Sequence, residues 1–189
     1  MDLNQVWRLY RTGEVAQGVI AAQRLAQASP QHGPTWHALG CCAERAGDFL
    51  LADRSFARAS RANDEPCELP WRCPWRRFAQ IVEGAIADLP PRLRVAAGEV
   101  TLVLADYAEP ELLEDQPDSE LLGLFTGPVR ADRDQAGEIS PRLFVFRRAH
   151  EHTCSTRKEF TAEVRTTLLH EFGHYLGYDE DDLERLGLE

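Results

Sequence analysis

The pattern that most constrains this chain is His170-Glu171-Phe172-Gly173-His174, which stands fifteen residues before the end of the 189-residue sequence. Two histidines four positions apart face the same side of a helix, so both rings can reach one metal ion. Zinc accepts neutral imidazole and leaves two coordination positions for other ligands. Glu171 lies on the neighbouring edge of that face, where its carboxylate can reach a water activated by the metal. The pattern therefore predicts a helix, with His170 and His174 as metal ligands and Glu171 as a catalytic base.

A third metal ligand is expected among the residues that follow His174. The frame reads HExxHxxGxxE, in which Gly177 permits a sharp turn and Glu180 stands ten positions after His170. A carboxylate oxygen is an acceptable zinc ligand. Asp179 is the alternative, because a one-residue change in the turn would present it instead.

The sequence around the motif predicts a long amphipathic helix. Thr156 and Glu159 fit a capping box that begins it, and Gly177 is a plausible end. The apolar residues expected on its buried face are Phe160, Val164, Leu168 and Phe172. A last short helix is expected over Asp182–Leu186, with Asp182 as a candidate cap.

Two segments rich in branched and aromatic residues predict strands, Glu99–Tyr107 and Leu143–Arg147. Near Leu143–Arg147, an edge strand could pair with an extended peptide. Between them, residues 108–141 form a long acidic stretch, of the kind that is usually functional or mobile in a small domain. His150 and His152 follow the second strand and are expected in a solvated loop.

The first part of the chain predicts paired helices that repeat. The turn glycines Gly13 and Gly47 lie 34 residues apart, and so do Pro30 and Asp64, which end the two units. A 34-residue period of helical hairpins is the spacing of tetratricopeptide repeats. The second unit resembles that family at its packing positions, which are Trp36, Leu39, Gly40, Ala43, Gly47, Ala52, Phe56 and Ala59.

A proline-rich segment, DEPCELPWRCPW, separates this part from the rest and is predicted to be a linker. Charge divides at the same place: residues 1–66 hold seven basic and seven acidic residues, whereas residues 67–189 hold fourteen and twenty-four. We therefore predict two domains, 1–66 and 67–189. The helix Trp75–Asp88 is expected to cap the repeat stack.

Composition excludes several classes of partner. A net charge of −10 disfavours nucleic acid and anionic membranes as partners. No apolar stretch is long enough for a membrane span. The five cysteines are odd in number and none forms a CxxC pair, which favours reduced thiols in a cytoplasmic protein.

Two arrangements of HExxH enzymes do not fit this sequence. In thermolysin-like enzymes a glutamate ligand comes from a second helix, further along than the fifteen residues that follow His174 here. Enzymes with HExxHxxGxxH carry a methionine-bearing turn after the motif, whereas Met1 is the one methionine of this chain.

The second part resembles the minimal zincin family, small bacterial zinc metallopeptidases with the frame HExxHxxGxx(D/E). The resemblance implies an α+β fold, one zinc ion, the ligands His170, His174 and Glu180, and Glu171 as base. The segments that carry it are Phe78–Leu89, Leu121–Gly127, Leu143–Arg148 and Val164–Glu171.

The fold class predicted for the chain is α+β: helical repeats followed by a small zincin-like domain with its metal-binding helix near the C-terminus. The predicted function is zinc-dependent hydrolysis of peptide or amide bonds, with a protein or peptide partner bound by the repeats. One alternative is an RNA hydrolase, because His174-x-x-Gly177-Tyr178-Asp179 is similar to bacterial rRNA-maturation endoribonucleases. Those enzymes have a histidine where Glu180 stands and lack the glutamate after the first histidine. The other alternative is a non-catalytic binding module with a structural metal.

Overall fold

The computed structural model describes residues 2–109, 112, 121–135 and 139–187, apart from the side chains of 133–135. These residues form two compact units, one from residues 2–70 together with 109 and 112, and the other from residues 71–108 and 121–187. The first unit ends at Pro70, inside the proline-rich segment. The domain boundary predicted after residue 66 stays a prediction. Much of the acidic stretch 108–141, namely 110–111, 113–120 and 136–138, lies outside the described residues.

The first unit consists of consecutive helices that pack each against the next. They are α1 (Leu3–Arg11), α2 (Val15–Ala28), α3 (Gly33–Arg45) and α4 (Phe49–Ala59). The turns after α2 and α4 are joined by a backbone bridge between His32 and Asp64. Gly40 allows α3 and α4 to approach closely, since a Cβ there would lie 2.6 Å from the Phe56 ring. Helical packing is thus established, and the tetratricopeptide assignment stays a prediction.

The second unit combines helices with a three-stranded sheet. Its elements are α5 (Trp75–Ala87), α6 (Pro91–Ala97), β1 (Thr101–Ala105), β2 (Gly123–Thr126), β3 (Arg142–Phe146), α7 (Arg147–Thr153), α8 (Arg157–Tyr175) and α9 (Glu180–Leu186). A short 3-10 helix, Arg130–Gln135, follows β2. This composition confirms the predicted α+β class.

The strand order of the sheet is β1-β3-β2, with β1 parallel and β2 antiparallel to β3. Leu143 pairs with Leu102 on one side and with Phe125 on the other. Edge strands therefore lie on both sides of Leu143–Arg147, and the central strand of the sheet is β3. Its side chains Leu143, Val145 and Phe146 are fully buried, which explains the continuous apolar run.

Helix α5 belongs to the second unit and packs into its core. Phe78 of α5 lies edge-to-face on Phe160 of α8, with ring centroids 6.0 Å apart. Ile81 and Val82 of α5 are buried in the same core. The predicted helix is confirmed, and its apolar face is covered within the second unit. Periodicity identifies an apolar face without identifying what covers it, so the expected capping of the repeat stack stays a prediction.

Helix α8 crosses this core and is capped as the sequence predicts at Thr156, whose side chain accepts a hydrogen bond from the Glu159 backbone N–H. The Glu159 carboxylate accepts from the Ser155 N–H rather than from the cap residue itself. The four predicted core residues are all buried: Phe160, Val164, Leu168 and Phe172. Each contributes about 1.5–3 kcal/mol of burial, which fixes the rotation of α8 about its axis.

His150 and His152 lie on helix α7, not in the solvated loop expected from the sequence. His150 is fully buried, and its Nδ1–H donates to the Phe146 carbonyl oxygen at 2.7 Å. Its Nε2 accepts from the Thr167 hydroxyl of α8 at 3.0 Å. His152 is half-buried, with Nε2 3.0 Å from the Tyr107 hydroxyl. Burial lowers the pKa of His150 to about 4, so it is neutral at pH 7 and ties α7 to α8.

No helix in the described part of the chain is long and apolar enough to cross a bilayer.

Candidate metal centre

The two histidines of the motif project from the last turns of α8. His170 and His174 have ring centroids 4.6 Å apart and nearly perpendicular planes. Their Nε2 atoms are 3.0 Å apart, and about a quarter of each side chain is exposed. Both imidazoles therefore converge on one point that solvent can reach.

A backbone hydrogen bond fixes the tautomer of His174. Its Nδ1 lies 3.1 Å from the carbonyl oxygen of Tyr178. A carbonyl oxygen can only accept, so Nδ1 carries the proton and Nε2 keeps its lone pair. Such a bond from the second ring nitrogen is the usual support of a metal-binding histidine.

The chain turns sharply between α8 and α9. Gly177 has φ +90°, a conformation that is cheap for glycine alone. The side chain of Asp179 then accepts a hydrogen bond from the Asp182 N–H and caps α9. Helix α9 consequently begins at Glu180, two residues earlier than predicted, and Asp182 is not its cap. The side chain of Asp179, the alternative third ligand, thus serves as the N-terminal cap of α9.

Packing of α9 on α8 brings Glu180 back to the histidines. Leu183 of α9 is fully buried against Gly173, where a Cβ would lie 2.3 Å from the leucine Cδ2. Glu180 Oε1 lies 3.3 Å from His174 Nε2, and Glu180 Oε2 lies 3.8 Å from His170 Nε2. Ligand atoms of His170, His174 and Glu180 all lie within 4.8 Å of one another.

This donor set fits a zinc ion. Zinc binds imidazole nitrogen and carboxylate oxygen at about 2.0–2.2 Å, so tetrahedral ligands stand about 3.3 Å apart. The separations of 3.0, 3.3 and 3.8 Å bracket that value. Two histidines and one carboxylate also form a three-ligand set that leaves a fourth position for water or substrate.

Glu171 lies on the inner side of the same helix, with 7% of its surface exposed. Its side chain is close to the start of β2: a Cβ on Gly123 would lie 2.9 Å from Glu171 Cγ and 3.1 Å from Oε1. The pKa of Glu171 is raised to about 7, because burial and, to a smaller extent, the Glu180 charge raise it by more than the Phe125 backbone hydrogen bond lowers it. The group can therefore take up a proton near neutral pH.

Some residues at this site carry no clear signal in the sequence. Tyr175 is fully buried, and its hydroxyl donates to Glu99 Oε2 at 2.8 Å. Glu99 also accepts from Arg130 at 2.8 Å. These two hydrogen bonds connect α8 to the segment before β1, which contains Glu99, and to the segment after β2, which contains Arg130. The strand β2, with Gly123 beside Glu171, was likewise not predicted, because four residues beginning with glycine show no clear alternation.

A comparison with family models bears on the second unit. Residues 97–188 match the model of the zincin-like metallopeptidase family. The zincin-like match spans all three strands and helices α7 to α9, and so includes the whole candidate metal centre. It begins after α5, so it does not extend to the predicted first helix of the family or to the helical first unit. No curated protein matched the chain.

Proposed function

We propose that this protein is a zinc-dependent peptidase in which His170, His174 and Glu180 hold one zinc ion and Glu171 is the catalytic base. The observation that carries the proposal is the convergence of these three ligand atoms within 4.8 Å on the helix that bears the buried Glu171. The zincin-like match supports the same chemistry. When bound, zinc supplies a Lewis acid that polarises a carbonyl and makes a water more acidic.

Glu171 moves the proton. The positive charge of a bound cation favours its carboxylate form, which then accepts a proton from the attacking water. Its apolar surroundings make the protonated form accessible as well, so the same group can hand the proton to the leaving amine. The Phe125 backbone hydrogen bond holds the carboxylate beside β2.

The sheet favours an extended peptide as substrate. Within the described residues β2 pairs with β3 alone, so its other edge can accept a peptide backbone. This edge strand contains Gly123, which lies beside Glu171, and it pairs with β3, near which the sequence suggested such an edge strand. The RNA-hydrolase alternative is not favoured, since Glu171 is present and the family match is to peptidases.

The first unit is proposed to be a tetratricopeptide-like domain, residues 1–66, that binds a protein or peptide for the domain of residues 67–189. The consecutive packing of α1 to α4 supports this. We also propose a cytoplasmic location. The five cysteines form no disulfide in the described structure, which suits a reducing compartment.

The test of the catalytic proposal has two readouts. Metal analysis by mass spectrometry should give one zinc per chain for the wild type, and neither His170→Ala nor Glu180→Ala should retain it. A peptide library incubated with zinc-loaded protein should yield cleavage products that Glu171→Gln forms about 10²–10⁴ times more slowly. Undiminished cleavage by a Glu171→Gln protein with full zinc content would refute the role of the base. If the Glu180→Ala protein retained its zinc, Glu180 would not be the third ligand.

A further inference from the structure

A surface cleft lies between α5 and α8 in the second unit. It has a volume of about 280 Å³ and a floor that includes the buried Ile81 and Ala85. Its polar lining consists of Arg77 and Gln80 from α5, Asp88 directly after α5, and Arg157, Thr161 and Arg165 from α8. We call it the arginine cleft.

The charge of the arginine cleft is opposite to that of the sequence around it. Three guanidinium groups line it against one carboxylate, that of Asp88, although acidic residues outnumber basic ones in residues 67–189. No ion pair joins Arg77, Arg157 or Arg165 to a carboxylate in the described part of the chain. Phe78 contacts Phe160, so the starts of α5 and α8 meet and Arg77 and Arg157 lie towards the same end of the cleft. Clustered, unneutralised guanidiniums favour an anionic ligand that can form bidentate hydrogen bonds.

The spacing of the arginines selects the kind of anion. Arg157 and Arg165 are eight residues apart on α8, or about 12 Å along the axis. A single phosphate ion would engage one end only, whereas an extended peptide advances about 3.3 Å per residue and covers this length with four residues. A nucleic acid also has the length, but its dense charge suits neither Asp88 in the cleft nor a chain of net charge −10.

The arginine cleft is separate from the candidate metal centre. Arg165 and His174 are nine residues apart on α8, which is two and a half helical turns, so they project from opposite sides. A segment bound in the cleft is therefore not the segment presented to Glu171.

We propose that the arginine cleft binds an acidic, extended peptide segment, with carboxylates on Arg77 and Arg157 at one end and on Arg165 at the other. Binding does not require the hydrolytic function. If that function holds, the cleft recruits substrates through an acidic region away from the cleaved bond.

The test uses the full-length protein and fluorescence anisotropy with a labelled glutamate-rich peptide of about ten residues. A peptide of the same length with glutamine at every glutamate position is the ligand control. The Arg77→Gln/Arg157→Gln/Arg165→Gln protein should bind the acidic peptide at least tenfold more weakly. Arg76→Gln removes an exposed charge next to Arg77 but outside the cleft, and should bind within about twofold of wild type. Affinity should also fall as salt is raised to about 0.15 M and beyond.

Several outcomes would overturn the proposal. Equal binding of the glutamate and glutamine peptides would show that carboxylates are not recognised. A loss in Arg76→Gln as large as that in the triple variant would show that the effect is the overall charge and not the cleft. Tight binding of inorganic phosphate or of a single-stranded oligonucleotide, without binding of the acidic peptide, would assign the cleft to another ligand. Circular dichroism of each variant confirms that it is folded.

Discussion

Replacement of Gly123 by alanine probes the contact on which the position of Glu171 depends. A Cβ at this position would lie 2.5 Å from Thr167 Cγ2 and 2.9 Å from Glu171 Cγ. Carbon atoms in contact are normally about 3.5–4.0 Å apart, so β2 and α8 must separate by about 1 Å. The β-branched Thr167 is rotationally stiff and cannot move aside cheaply. We therefore expect Gly123→Ala to lower the free energy of unfolding of the second unit by about 1–3 kcal/mol.

Urea unfolding followed by circular dichroism measures this loss. For a destabilisation of about 2 kcal/mol and a slope of about 1–2 kcal/mol per M, the midpoint falls by roughly 1–2 M. Hydrogen-exchange mass spectrometry should assign the change to α8 and β2, while α3 of the first unit keeps its protection. The matched control is Gly84→Ala, on the exposed side of α5 with nothing within 4 Å of the added Cβ. It should raise stability by about 0.5–1 kcal/mol, since alanine is the better helix former.

The same substitution also tests the site. The added methyl group enters the space of the Glu171 side chain, so the rate of any Glu171-dependent cleavage should fall more than zinc content does. A Gly123→Ala protein with wild-type stability and wild-type exchange in α8 would refute the close packing of β2 on Glu171 and Thr167.

Three further predictions concern other contacts. Asp179→Ala should keep its zinc but lose about 1 kcal/mol of stability with the α9 cap; loss of zinc would restore Asp179 as a ligand. Gly173→Ala should displace Leu183 and with it α9, so zinc affinity, measured by competition with a chelator, should fall about 10–100-fold; unchanged affinity would mean that α9 does not position the third ligand. His150 has a pKa lowered to about 4, so the unfolded state, with a pKa of about 6.5, binds the additional proton first as the pH falls. Stability conferred by neutral His150 is thus complete above about pH 6.5 and is lost towards pH 4, by up to about 3 kcal/mol. The raised pKa of Glu171 changes the stability with pH in the opposite direction. Because wild type and His150→Gln both contain Glu171, its contribution cancels when the metal-free proteins are compared. Parallel pH profiles of the two proteins would contradict the prediction.

Local features of the sequence were sufficient for much of the second unit. The spacing of the apolar residues and Thr156 predicted α8 and its buried face, because a helix needs only its own periodicity and cap to be recognised. The frame through Gly177 likewise indicated a turn and a returning carboxylate. The match to the zincin-like family over residues 97–188 agrees with that prediction.

Contacts between distant segments could not be obtained in this way. Strand order made β3 central and left β1 and β2 at the edges, because pairing depends on which segments meet and not on the composition of each one. His150 resembled a solvated loop residue in the sequence, yet its bonds to Phe146 and Thr167 make it a buried link between α7 and α8.

The choice between the two candidate third ligands shows the same division. The sequence by itself determined that two histidines share a helical face and that a carboxylate follows a glycine turn. Only the tertiary structure decided which carboxylate returns. Asp179 caps α9, while the burial of Leu183 against Gly173 draws that helix towards α8 and sets Glu180 beside both imidazoles. The cap is a local hydrogen bond, whereas the burial of Leu183 depends on packing; together they bring Glu180 beside the histidines.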